Sequence, residues 1–230
     1  MLRRPARDLE SPPMDPAPAP ARVLVLAGPS GAGKSRLALH LHTAHGWPVV
    51  QLDDFYREHT DPDLPMSPLG LPDWDHVDSW DLDAALAALE QLCRSGTAHM
   101  PVYDISRSAV SGTHEVSRGR HTVVVAEGIF AAHTTPGLRS RGLLADAWCI
   151  RNRPWLTFSR RLARDLAERR KPPLTLWRRG HVLRRAEPGI VAAQEELGAR
   201  AMTAREAQVL ARGLTASSGP RTSIDRGAGG

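Results

Sequence analysis

The chain has 230 residues, of which 41% are hydrophobic and 24% charged, with a formal net charge of +5. That is enough apolar material for one α/β domain with insertions, and too ordinary a balance for a disordered or fibrous chain. The first twenty-odd residues contain no apolar segment long enough for a signal peptide or a membrane span and no membrane partner is expected, while the lone cysteines Cys93 and Cys149 point to a reducing cytoplasm.

Residues 1–20, with Pro12, Pro13, Pro16, Pro18 and Pro20 among alanines and charges, read as a disordered leader. The run Val23-Leu24-Val25-Leu26-Ala27 is short, apolar and uninterrupted, as a strand buried on both faces should be. Directly after it stand Gly28-Pro29-Ser30-Gly31-Ala32-Gly33-Lys34-Ser35, followed by the helix-forming stretch Arg36–Leu41. Glycines at a strand-to-helix turn let backbone N–H groups meet phosphate oxygens at the helix N-terminus. In that setting Gly28, Ser30, Gly31, Ala32 and Gly33 form a triphosphate cradle, Lys34 reaches the β and γ phosphates, and Ser35 offers a Mg²⁺ ligand.

A second buried strand is predicted over residues 47–52, ending at Asp53-Asp54-Phe55-Tyr56. Residues 57–80 are rich in Pro, Asp and Trp without helical period, a long loop of the kind that covers a site. Leu82–Arg94 carries Leu82, Ala85, Leu86, Leu89 and Leu92 on one helical face, with Asp81 as cap; Met100–Asp104 and Gly112–Val116 suggest a short β-arm over an acceptor pocket. His121–Ala126 is the clearest strand, with Glu127-Gly128 at its C-terminal end, and Ala145–Ile150 reads as another. A basic helix, Trp155–Lys171, is stopped by Pro172-Pro173, and helical stretches follow over Leu174–Arg185 and Gly189–Leu214. The predicted folded unit spans residues 21–213, with a flexible tail from 214 to 230.

Strands alternating with helices imply a parallel sheet with right-handed crossovers, and such sheets bind ligands outside the carboxyl ends of their strands. Gly28, Asp53 and Glu127 all fall at that edge. Cys93 and Cys149 lack metal-site spacing and read as buried free thiols. Between Arg151 and Arg212 there are fifteen Arg or Lys against six Asp or Glu, which points to an anionic ligand. The aromatics are not interleaved with these cations as a nucleic-acid platform would require, so no nucleic-acid partner is expected.

Phosphoryl transfer needs positioned phosphates, a metal, an in-line acceptor and cations around the transferring group. Asp53 suits the base that takes the acceptor's hydroxyl proton, with a place in the metal shell as the competing role. Glu127 could hold Mg²⁺ directly or through water. Arg160, Arg161, Arg164 and Lys171, with Arg169 and Arg170, form a cationic stripe able to close over the triphosphate and exclude water.

Together these segments resemble the uridine (uridine/cytidine) kinase family of P-loop kinases, in order from Val23 to Lys171. The matching pieces are the Gly28–Ser35 loop, Asp53-Asp54-Phe55-Tyr56, Trp74-Asp75-His76-Val77-Asp78-Ser79-Trp80-Asp81, Pro101-Val102-Tyr103-Asp104, Glu127-Gly128-Ile129 and Arg161–Arg169. The resemblance implies a P-loop NTPase fold with a helical lid and a small β-arm. It also implies ATP and Mg²⁺ as cofactors, and transfer of the γ-phosphoryl group to the 5′-hydroxyl of uridine or cytidine. By it Asp53 would be the catalytic base and Asp75 would grip the ribose. Tyr56, Trp74 and Tyr103 would border the nucleoside, with Arg161 touching it, and Arg164, Arg169 and Lys171 would contact phosphates. Family members are often oligomeric, so a homo-oligomer is a further expectation.

The sequence departs from the family after Tyr103-Asp104, where an aromatic and a pyrimidine-reading His are usual and Ile105-Ser106-Arg107-Ser108 stand. Arg107 could replace that His as donor, or the acceptor could be another hydroxylated metabolite. His76-Val77 lacks the usual proline, and no clear final strand is visible beyond Lys171. A nucleotide-binding or nucleic-acid-binding regulatory protein is a third reading, one that leaves the strand-end carboxylates without a task.

Overall fold

The computed structural model describes residues 19–68, 70–151 and 187–216. At its centre lie five strands: β1 (Arg22–Ala27), β2 (Val49–Gln51), β5 (Val123–Glu127), β6 (Leu144–Ile150) and β7 (Arg200–Met202), in the order β2-β5-β1-β6-β7. Every neighbouring pair is parallel. Strand β1 occupies the middle because it is apolar on both faces, and its side chains divide by the two-residue period of a strand.

Val23, Val25 and Ala27 face one layer, packing with Val124, Ala126, Ala147 and Cys149 against Ala85, Leu86, Leu89 and Leu92 of α2 (Leu82–Ser95) and Leu138 of α3 (Thr134–Ser140). Leu24 and Leu26 face the other, with Val125, Trp148 and Ile150, against Leu37, Ala38 and Leu41 of α1 (Lys34–His45) and Ala207 and Ala211 of α5 (Ala204–Ala216). Residues 187–196 form helix α4, whose Val191 adjoins the first layer. The result is a parallel sheet flanked by helices. Each fully buried leucine contributes about 1.5–3 kcal/mol relative to an exposed one.

The cap predicted at Asp81 is present: its side chain accepts from the Ala84 N–H, and Gly96 in the left-handed region closes α2. The β-arm is longer than its sequence signals, with β3 (Thr97–Asp104) pairing antiparallel with β4 (Ala109–Ser117). Both cysteines are buried free thiols, and burial pushes each up to about 11.

The structure corrects several expectations. The stretch Gly189–Leu214 is not one helix: it breaks at Gly198, where φ is +92°, and β7 follows before α5. β7 is a final strand that the sequence does not make visible, and it pairs Trp148 with Arg200 and Ile150 with Met202. Helix α3 carries no helical signal in the sequence, because Pro136 and Gly137 lie inside it. The expected helices over 155–171 and 174–185 lie outside the described residues. Helix α5 runs to Ala216, past the expected boundary at 213.

Candidate active site

Positive φ at Gly28 (+134°), Gly31 (+84°) and Gly33 (+99°) turns the chain from β1 into α1. Gly28 is obligatory for a second reason: a Cβ there would lie 2.4 Å from the Ile150 carbonyl oxygen. Gly33 is the N-cap of α1, and no side chain caps the helix from that position. The positive end of the helix dipole therefore opens onto the loop. Lys34 is buried, and its Nζ donates to the carbonyl oxygens of Gly28 at 2.9 Å and Pro29 at 3.3 Å.

The sheet register brings the carboxylates to this loop. Glu127, the last residue of β5, lies level with Leu26 of β1 on one side and Gln51 of β2 on the other. Burial raises its carboxyl above the ordinary value. The Lys34 charge and a hydrogen bond from the Ser35 hydroxyl oppose that rise, and the nearby charges of Asp53 and Asp54 add to it. Lys34, Ser35, Asp53 and Glu127 thus sit in one electrostatic neighbourhood at the carboxyl edge of the sheet.

Asp53 lies on a single 3-10 turn, Leu52–Phe55, straight after β2. Its Oδ1 accepts from the Ile129 N–H at 3.0 Å. Gly128 makes this approach possible, since a Cβ there would stand 2.8 Å from the same oxygen. Asp54 points the other way: its Oδ1 accepts from the Tyr103 N–H at 3.2 Å, tying the arm to the strand end. Burial raises the Asp54 carboxyl.

Tyr56 gathers an aromatic wall. Its ring centroid is 6.0 Å from Trp74, 5.8 Å from Tyr103 and 6.0 Å from Phe130, while Phe130 also meets Trp80 and His133. The Tyr56 hydroxyl donates to the Trp74 carbonyl and the Tyr103 hydroxyl to the Arg57 carbonyl. Burial, with the Asp53 and Asp75 charges, pushes the Tyr56 phenol well up. Trp80 belongs to the core: it is buried and its Nε1 donates to the Leu52 carbonyl at 2.6 Å. Trp74 remains part-exposed beside Tyr56, with exposed Asp75 next in the chain. The loop is stitched to the arm through Val110 N–H to Glu58 and His59 N–H to the Ser108 carbonyl.

Arg107 is at the hairpin tip. Its Nε lies 3.6 Å from Asp104 Oδ2, its side chain is 77% exposed, and Asp104 Oδ1 accepts from the N–H groups of Ser106 and Arg107. Arg161, Arg164, Arg169 and Lys171 lie outside the described residues. Among the described residues no three His, Cys, Asp or Glu side chains cluster as a metal cage. Phe130, His133 and Gln194, all adjoining the site, carry no local signal in the sequence; Gly128-Ile129, directly after a strand-end glutamate, does.

A parallel sheet with helices on both faces, a Gly-rich loop feeding a helix N-terminus, and a lysine and carboxylates at the same edge define a P-loop phosphotransferase of the kinase type. The model of the phosphoribulokinase/uridine kinase family matches residues 23–172, and the chain belongs to that family. It is 29% identical to a uridine kinase of Bacillus pumilus (strain SAFR-032) over 150 residues, 64% of this chain and 69% of the relative. It is 28% identical to a uridine kinase of Leuconostoc citreum (strain KM20) over 152 residues, 64% and 70% of the two chains. A solved structure from Silicibacter sp. TM1040, proposed to be a fructose transport system kinase, shares the fold with a TM-score of 0.57 at 20% identity. It covers 83% of this chain and 91% of that one.

Proposed function

We propose that this kinase uses ATP with Mg²⁺ to phosphorylate the 5′-hydroxyl of uridine or cytidine. The observation that carries the chemistry is the convergence of Lys34, Ser35, Asp53 and Glu127 at one sheet edge. The amides of Gly28, Ser30, Gly31, Ala32 and Gly33 cradle the phosphates, and Lys34 swings from its two loop carbonyls to the β and γ oxygens. Asp53, held at Oδ1 by Ile129, takes the acceptor's hydroxyl proton. Arg164, Arg169 and Lys171 are proposed to meet the phosphates and Arg161 the acceptor.

The Ser35 hydroxyl beside the Glu127 carboxylate fits Mg²⁺, which takes oxygen donors and keeps few protein ligands. When bound, the ion neutralises charge on the transferring group. Asp53, whose charge acts on the Glu127 carboxyl, is proposed as a further member of that shell. Tyr56, Trp74 and Tyr103 offer flat apolar faces to a nucleobase, and Asp75 offers paired acceptors for ribose hydroxyls.

A second reading has its own observation. Arg107 is paired with Asp104 at the exposed hairpin tip, and its neighbours Ile105, Ser106 and Ser108 supply no imidazole where the family's pyrimidine-reading His is usual. That favours another hydroxylated metabolite, such as a sugar phosphate or a pantothenate-like compound, on the same machinery. A coupled ADP-release assay over nucleosides, sugars, sugar phosphates and pantothenate tests both. Uridine or cytidine ranking first supports the nucleoside reading, and a different best acceptor overturns it in favour of the second.

A further inference from the structure

Between the candidate base and helix α4 runs a three-residue relay. Gln194 Nε2 donates to the Ile129 carbonyl at 3.2 Å, and the Ile129 N–H donates to Asp53 Oδ1 at 3.0 Å. Residue 129 is therefore gripped on both sides of its Cα, by α4 through its carbonyl and by Asp53 through its amide. The geometry points to Gln194 as a positioning residue, one that fixes the Asp53 carboxylate in line for proton removal without touching either substrate. This inference rests on the reading of Asp53 as the base.

Three features support it. Gln194 is buried, and its Oε1 has no hydrogen-bond partner among the described residues. A buried amide with one unsatisfied atom is costlier than an apolar side chain of the same shape, so packing alone disfavours glutamine here; its donor is what an apolar residue cannot replace. Next, Gly128 leaves no room for a Cβ beside Asp53 Oδ1 and is thus set close against the carboxylate. Movement of residue 129 would pass directly to Asp53. Finally, α4 is the described helix that follows the arginine-rich segment 151–186 in sequence, and Gln194 is its contact to the peptide holding the base.

The test is a double-mutant cycle on the full chain, with ATP and uridine, or with the acceptor that ranks first in the panel. Gln194→Leu keeps the volume and removes the donor. Its kcat should fall about tenfold, because misorientation of a catalytic group by a fraction of an ångström costs on that scale, while KM for ATP stays within about twofold of wild type. Added to Asp53→Asn, Gln194→Leu should cost nothing further, since it acts only through Asp53. A full tenfold loss in the double variant, or wild-type kcat in Gln194→Leu, overturns the proposal. If Asp53→Asn itself keeps wild-type kcat, the base reading fails instead. Should Gln194→Leu not fold, Gln194→Asn with the donor drawn back one methylene takes its place and is expected to show the same cycle.

Discussion

Gly128 and Asp53 are in steric register: the space a Cβ would occupy on residue 128 ends 2.8 Å from Asp53 Oδ1 and 3.1 Å from Leu52 Cβ. Real Cβ atoms do not approach this closely, so any side chain at 128 must move the carboxylate or the turn bearing it. Gly128→Ala should fold and bind ATP normally but lose about tenfold or more in kcat. Steady-state kinetics beside ATP titration calorimetry checks this, and unchanged kcat would remove Gly128 from the site.

Asp54 separates arm placement from chemistry. It accepts from the Tyr103 N–H, and Tyr103 in turn faces Tyr56, so loss of the acceptor should loosen the aromatic wall rather than the phosphate cradle. An amide left without its partner in a partly buried site costs about 1–3 kcal/mol. Asp54→Ala should therefore raise the acceptor's KM about tenfold with KM for ATP unchanged, while Asp54→Asn, which keeps an acceptor oxygen, stays within about threefold of wild type. Hydrogen exchange at the Tyr103 amide provides a direct readout.

What the sequence reveals here depends on how local the cause is. β1, its glycine loop, α1 and the Asp81 cap are each set by neighbours within a few residues, and all were readable. Glu127 and Asp53 could be placed at the sheet edge because strand ends are local and parallel topology does the rest. By contrast β7 has only Arg200-Ala201-Met202 between helix-forming stretches, too little for a period of two, and forms because β6 offers it an edge. Phe130, His133 and Gln194 became part of the site's surroundings through tertiary packing alone; Gln194 lies 65 residues from the carbonyl it holds. Trp74 and Trp80 look equivalent in sequence, yet only Trp80 is sealed in the core.

Gly28 offers a test of the cradle independent of catalysis. With φ at +134° and the Ile150 carbonyl oxygen 2.4 Å from a would-be Cβ, Gly28→Ala must displace backbone against backbone. Strain of this kind costs about 1–3 kcal/mol, and the loop is the element free to yield. The variant should show a lowered Tm and an ATP Kd weaker by about 5- to 150-fold, by the arithmetic that 1.4 kcal/mol is a factor of ten. Gly213→Ala, at an exposed position of α5 where a Cβ would meet nothing within 4 Å, serves as the control.

His133 gives the stability of this protein a pH dependence of defined sign. It is half-buried against Phe130, and burial lowers its imidazole below the ordinary value of 6.5. A depressed imidazole means that the unfolded chain binds the proton first as pH falls, so ν in the unfolded state exceeds that in the folded state and stability rises with pH. The contribution is complete above about pH 6.5 and is lost as pH drops from there through the lowered folded value. Because the group is part-exposed, the slope should be well below the about 1.4 kcal/mol per pH unit of a fully coupled proton. His133→Gln, which does not titrate, should show a shallower fall in Tm between pH 7.5 and 5.5 than the wild-type chain, the other histidines being common to both. Equal slopes in paired thermal melts would mean that His133 titrates like an imidazole in water, and that the Phe130 face does not shield it.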